Sequence, residues 1–406
     1  MSNEQATGSA NMSPSSSGRV DTTYLDGLRG LAALYVMFNH CSIMTMELTN
    51  SGATLPHRLA QIEHILHFFL FNYGTLAVAI FIVLSGYLLM LPVAKSPELE
   101  LRGGIGEFVK RRARRILPPY YAALALSLIF IWTLPALNIP IALMPWHNLV
   151  AGSFLPGSIV SHLLLVHNLT QWIATIDPPM WSVPIEWQIY FLFALVMLPL
   201  YRKTGDLVLL VVTFGIFLPL GLFVQPFMQS HSWFVGLFAM GMVGARINFS
   251  PQPRYQKLRS WPYWRHVAAT GFVLILASIV AEMKVKVLPD TPSIPEILTG
   301  IATVSYIIYT TQAIATGAPR GTGYRLLTLR PVEVLGVFSY SLYLIHDPVL
   351  EVTNYFYRVS GLSGTLCYFL FPFTSIPLAL CIAYLFHLVF EKPFLPAGLR
   401  LPPKEG

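Results

Sequence analysis

Charge is what this chain has least of. Asp, Glu, Lys and Arg make up 11% of its 406 residues, against about 25% in a soluble globular domain, which excludes a water-facing surface over most of its length. Cysteine is scarce as well. Cys41, Cys367 and Cys381 all fall in apolar stretches, with no metal-ligand spacing and no disulfide framework, so packing is the role expected of each. There is no G-x-S-x-G elbow, Walker loop, H-E-x-x-H or Cys cluster, which leaves covalent serine catalysis and metal hydrolysis without a motif. The loop holding His57, Glu63, His64 and His67 has only one well-spaced pair. No metal site is expected. The Ser- and Gly-rich residues 1–20 lack the basic start and apolar core of a signal peptide, and 1–21 read as a disordered tail.

What is present is apolar length. Hydrophobic residues make up 54% of the chain and its mean hydropathy is +0.59. Ten stretches approach the 17 to 25 residues that cross a bilayer as a helix: 28–46, 74–91, 119–137, 181–200, 206–224, 231–247, 266–283, 294–316, 331–352 and 365–390. An eleventh, 158–170, is short and holds His162, His167 and Asn168. Basic residues decide its fate, because cytoplasmic loops are enriched in Lys and Arg. With ten spans and a cytoplasmic N-terminus, 21 of the 26 Lys and Arg lie inside and four outside, with Arg29 at the membrane edge. If 158–170 crossed, the tally would become 11 against 14. The expected fold is therefore all-α, a polytopic bundle of about ten transmembrane helices with 158–170 re-entrant or interfacial and both termini cytoplasmic. One membrane body, 22–395, is followed by a tail, 396–406. The +7 net charge follows the membrane, so the bilayer is a partner and nucleic acid is not.

Polar groups inside these spans are the candidates for chemistry, since ionisable residues in a bilayer are costly and face a protein or water-filled interior. Arg29 and His40 are eleven residues apart, three turns plus about 20°, so they share one face about 16 Å apart along the axis. The run Lys110-Arg111-Arg112-Ala113-Arg114-Arg115 leads into the third span. It serves as positive-inside anchoring or as an anion site, because Arg offers a planar donor fork to phosphate. Ser182, Glu186 and Tyr190 are spaced by four and line one face of the fourth span. Ser339, Tyr343 and His346 do the same on the ninth, with structural hydrogen bonding as the rival role for each acidic or imidazole group.

In this order, five segments resemble the acyltransferase-3 family of integral-membrane O-acyltransferases. They are Asp26-Gly27-Leu28-Arg29-Gly30 with His40, Phe81-Ile82-Val83-Leu84-Ser85-Gly86-Tyr87, Arg111-Arg112-Ala113-Arg114-Arg115-Ile116, Trp181-Ser182-Val183-Pro184-Ile185-Glu186 and Ser339-Tyr340-Ser341-Leu342-Tyr343-Leu344-Ile345-His346. The resemblance spans about 22–395. It departs at Tyr87, where Phe is usual, and at Pro184, which interrupts small apolar residues. It implies acyl transfer, acetyl being the expected group, from acyl-CoA to a hydroxyl of a carbohydrate or hydroxylated metabolite. It implies no permanently bound cofactor, and a bacterial plasma membrane or eukaryotic endomembrane as the setting.

The catalytic set expected on this basis is His40 as general base, Arg29, Glu186 orienting His40 or His346, and His346 itself. Arg111, Arg112 and Arg115 are expected to hold the donor's phosphates. Direct transfer and a histidine-acyl intermediate both stand, direct transfer being preferred. The rival from another class is a proton-coupled secondary transporter, which would commonly show repeated halves; none is visible.

Overall fold

The computed structural model describes residues 22–50, 73–134, 152–284 and 294–395, and among them no strand occurs. Within the described residues each of the ten stretches read from the sequence falls largely on helix, with 135–137 outside those residues and 331–352 shared between the short helix Arg330–Val337 and the long one that follows it. The long helices are α1 (Thr23–Asn50), α2 (Gly74–Lys95), α3 (Gly104–Thr133) and α4 (Ser182–Leu192, carried through a π turn at Phe193–Met197 into Leu198–Thr204). They continue with α5 (Asp206–Phe223), α6 (Phe234–Phe249), α7 (Trp264–Lys284), α8 (Ile294–Thr316), α9 (Ser339–Val359) and α10 (Gly364–Phe386). Seven of them, α2, α3, α4, α5, α7, α8 and α10, are long and apolar enough to cross a membrane. The others are α6, at 16 residues, and α1 and α9, which carry the polar stripes. For those three, crossing rests on the charge argument alone. Segment 158–170 forms an eight-residue helix, Pro156–Leu163, and a short 3-10 turn, His167–Leu169. Eight residues rise about 12 Å, far short of a hydrocarbon core of about 30 Å.

Centre and rim differ in what they bury. At the centre α2 and α6 touch backbone to backbone. A Cβ on Gly86 would strike the Phe238 carbonyl, and one on Gly241 the Val83 carbonyl. Small residues permit this approach, and dispersion between close backbones holds it in a medium where burial of apolar area supplies no drive. At the rim, α5 and α7 turn Leu207, Val211, Phe223, Phe272 and Val273 outward, as a helix facing lipid can.

Helix α1 lies between these extremes, packed on α2, α9, α10 and the short helices Thr322–Leu327 and Arg330–Val337. Its polar stripe therefore meets protein, and the partner along much of it is α9, which carries the other stripe. Cys41 and Cys367 are buried as expected, with Cys41 Sγ 3.7 Å from Ser375 Oγ. Cys381 is exposed on α10, a correction to the packing role expected for it. The face it occupies points away from the bundle, a distinction an all-apolar helix does not record in its sequence.

Candidate active site

A cavity of about 250 Å³ opens between α1, α2, α3, α4 and α9. Four of the expected residues line it: Arg29 from α1, Arg112 and Arg115 from α3, and Glu186 from α4. The same-face expectations hold for its walls. Ser182, Glu186 and Tyr190 all reach it from α4, and Ser339 and Tyr343 from α9.

Its electrostatics favour an anion. Arg29 Nη1 donates to Asp26 Oδ1 at 2.9 Å, so one guanidinium is partly matched. Glu186 Oε1 accepts from Ser85 Oγ at 2.5 Å and from the Tyr190 hydroxyl. Arg112 lies over the Tyr190 ring, 6.0 Å from its centroid, and its buried Nε has no hydrogen-bond partner. An unpartnered buried donor is costly. Three guanidiniums against two carboxylates thus leave donor capacity facing the space.

Arg111 stands apart from the cavity. Its side chain is exposed and donates to the Arg102 carbonyl at 2.8 Å, away from the cavity. The reason is helical phase: 112 and 115 are neighbours on one face, while 111 is turned about 100° from 112.

His40 and His346 meet although 306 positions apart in the chain, with His40 Nδ1 2.9 Å from His346 Nε2. The direction of that bond follows from its surroundings. His346 Nδ1 lies 3.0 Å from the Leu342 carbonyl, which only accepts, so Nδ1 carries the proton and Nε2 is the acceptor. His40 Nδ1–H then donates to it, and Nε2 is left as the proton-accepting nitrogen of His40. The rings are nearly stacked, with centroids 5.0 Å apart. Tyr343, a wall of the cavity, has its ring 6.1 Å from that of His346 and hydrogen-bonds Ser182 and the Pro179 carbonyl. Glu186 contacts neither histidine. The group hydrogen-bonded to His40 is His346, and the partners of Glu186 are Ser85 and Tyr190.

Asp347 joins the pair, with Oδ1 3.5 Å from His40 Nδ1. His40, His346 and Asp347 have ligand-type atoms within 4.8 Å of one another, but two of those atoms already share a proton, which accounts for their closeness. The residues His57, Glu63, His64 and His67 lie outside the described residues. Sequence reading passed over Ser85 and Asp347. The acid next to His346 was visible, but only the fold turns it towards α1.

Residues 22–388 match the family model of the acyltransferase-3 family, described as an acyltransferase domain. The chain belongs to the acyltransferase-3 family. No curated protein and no solved structure matches it. With its apolar helices, membership makes this chain a membrane acyltransferase, and the cavity and the paired histidines fall within the matched span.

Proposed function

We propose that the chain is an O-acyltransferase that moves an acyl group, acetyl by expectation, from acyl-CoA to a hydroxyl of a carbohydrate or hydroxylated metabolite. The observation that supports this best is the convergence of Arg29, Arg112 and Arg115 on one cavity whose Tyr343 wall adjoins the His40–His346 pair. Arg112 and Arg115 hold phosphates of the donor. At about 250 Å³ the cavity is below the roughly 300–1,000 Å³ of a drug-sized ligand, so it takes the pantetheine arm and its phosphates while the adenosine end stays outside. Arg29 steers the thioester or polarises its carbonyl.

The acceptor hydroxyl gives its proton to His40 Nε2 as its oxygen attacks the thioester carbon. The C–S bond breaks, and the same proton passes to the departing sulfur, giving ester and free coenzyme A. With His346 holding the His40 ring in the required tautomer, direct transfer needs no acylated side chain. Both termini lie on the cytoplasmic side in this reading. In a background lacking the three cysteines, single cysteines at exposed Gly103, Gln256 and Gly321 label from inside, and one at exposed Pro226 labels from outside.

The test is radiolabelled acetyl-CoA given to the full-length protein in membranes and extract of the producing cells. Expected is equimolar release of coenzyme A and label in an alkali-labile ester. Solute uptake with no release of coenzyme A would mean the transporter reading.

A further inference from the structure

Asp347 is a buried carboxylate that no structural hydrogen bond explains. It is 3% exposed, and its Oδ1 has no hydrogen-bond partner. A carboxylate taken out of water is expensive unless charge or donors match it. The nearest candidate is His40 Nδ1–H at 3.5 Å, whose proton is already given to His346 at 2.9 Å. Asp347 thus faces a ring N–H that is committed elsewhere.

The match improves at one moment of the reaction. When His40 takes a proton on Nε2 it becomes a cation, and the carboxylate then faces positive charge across 3.5 Å. At that separation in a site with little water, attraction is several times what it is in bulk solvent. A charge fixed before the reaction costs no reorganisation during it. Resting against this ring without a full partner is the signature of an environment built for the transition state rather than the ground state.

Resting on the acyl-transfer reading above, we infer that Asp347 is a positioning residue of the His40 base, acting through its charge on the imidazolium that forms when His40 accepts the hydroxyl proton.

The surrounding groups support this. Asp177, just ahead of α4, interacts electrostatically with Asp347, and burial first, then that neighbour, pushes its carboxyl well above the usual range. Asp177 Oδ2 accepts from Ser127 Oγ on α3 at 3.3 Å. Two buried carboxylates near one another cannot both ionise cheaply, which is why the Asp177 carboxyl is the one pushed up beside its Ser127 partner. The other titratable groups that interact with this pair, among the described residues, are His346 and Tyr343 on α9 and Tyr120 on α3. Every one of them is neutral or acidic, so among the described residues His40 is the group placed to offer Asp347 a positive charge.

The test uses the full-length protein in membranes and reads two quantities. The first is transfer of label from acetyl-CoA. The second is the unfolding temperature of the detergent-solubilised protein. Asp347→Asn keeps the shape and removes the charge. It should lower kcat about 10²-fold with the KM for acetyl-CoA unchanged, while the unfolding temperature stays level or rises, because an unmatched buried charge has been removed. Asp347→Glu, which keeps the charge, should recover more activity than Asp347→Asn. An Asn variant with wild-type kcat overturns the inference. So does one whose unfolding temperature falls, since that is the mark of a structural bond. If wild-type protein transfers no label, the acyl-transfer reading fails on its own. A lowered unfolding temperature in Asp347→Asn would even then count against Asp347 as described.

Discussion

Two buried histidine–carboxylate groups in this molecule use the same residue types to opposite ends. In the π turn His387–Glu391 that follows α10, His387 Nδ1 meets Glu391 Oε2 at 2.8 Å, and Ser341 Oγ donates to the same oxygen at 2.5 Å. Both partners are 3% exposed. The carboxylate has two donors, and the histidine has an acceptor within one turn of its own helix. In the group formed by His40, His346 and Asp347, His40 is 19% exposed and the proton-accepting Nε2 of its ring is uncommitted by the hydrogen-bond chain. Asp347 Oδ1 lacks a donor. The first group is closed and the second is open. The number of unmet bonds, more than the identity of the residues, separates a clamp from a reaction centre.

Breaking each group should give opposite phenotypes. His40→Ala is expected to lower the rate of acyl transfer by about 10²–10⁴-fold, the usual cost of losing a general base, with expression and unfolding temperature held. Normal turnover would move the base elsewhere. His387→Ala should do the reverse. It strips the buried Glu391 of one of its two donors, so stability should fall by about 3 kcal/mol while transfer per folded molecule is kept. A His387 variant that folds normally but is inactive would erase the distinction drawn here.

The basic run sharpens the same contrast between open and closed groups. Arg112→Ala and Arg115→Ala should raise the KM for acetyl-CoA about tenfold or more each, by losing contacts made in ground and transition states alike. Lys at either position should restore only part, since it lacks the planar fork. Arg111→Ala should change KM by less than about twofold, because an exposed side chain tied to a backbone carbonyl gives up little. Equal effects at 111 and 112 would place the donor outside the cavity.

The smallest expected effect concerns a second histidine pair, outside the long helices. His162 and His167 stack with centroids 3.8 Å apart, and the rings are nearly parallel. Burial, and then the neighbouring His162, press the His167 pKa down to about 3 from 6.5. The folded segment therefore binds fewer protons than the unfolded one between those values, and stability there rises with pH. It is fully present above about pH 6.5 and is lost progressively as pH falls towards 3. Hydrogen exchange across residues 156–181 should quicken in that window, and His167→Phe should flatten the dependence. An acid-insensitive exchange rate would show the pair to be solvated.

Much of the cavity was legible because helical phase is written in one segment at a time. Glu186 with Ser182 and Tyr190, or Ser339 with Tyr343, needed only a count of four residues. That Arg111 stands off the cavity wall was legible on the same ground, since 112 and 115 share a face that 111 leaves. What could not be read was which stripe meets which. His40 finds His346 only because α1 packs on α9, and the short helix Arg330–Val337 that leads into α9 is seated on α1 through Gly30 and Gly336, which in sequence look like any other glycines in an apolar helix. The change in helical phase at the π turn Phe193–Met197 likewise carries no pattern that charge or hydropathy would mark.

The seam where α2 meets α6 bears on how the donor gets in. Side chains can change rotamer to let a neighbour pass, but two backbones in contact have no such freedom, and neither helix can roll or slide without lifting off the other. Ser85, next to Gly86, is thereby held at a constant height and azimuth as the hydrogen-bond donor to Glu186. Helices α2 and α6 then act as the fixed jamb of the cavity. The door cannot be hung on α1 either, because Gly27 and Gly30 set it against the Leu327 carbonyl and the Gly336 backbone. Helix α3, whose Gly104 and Gly106 touch nothing, is the wall left free to swing for a substrate that reaches from the arginines to the histidines.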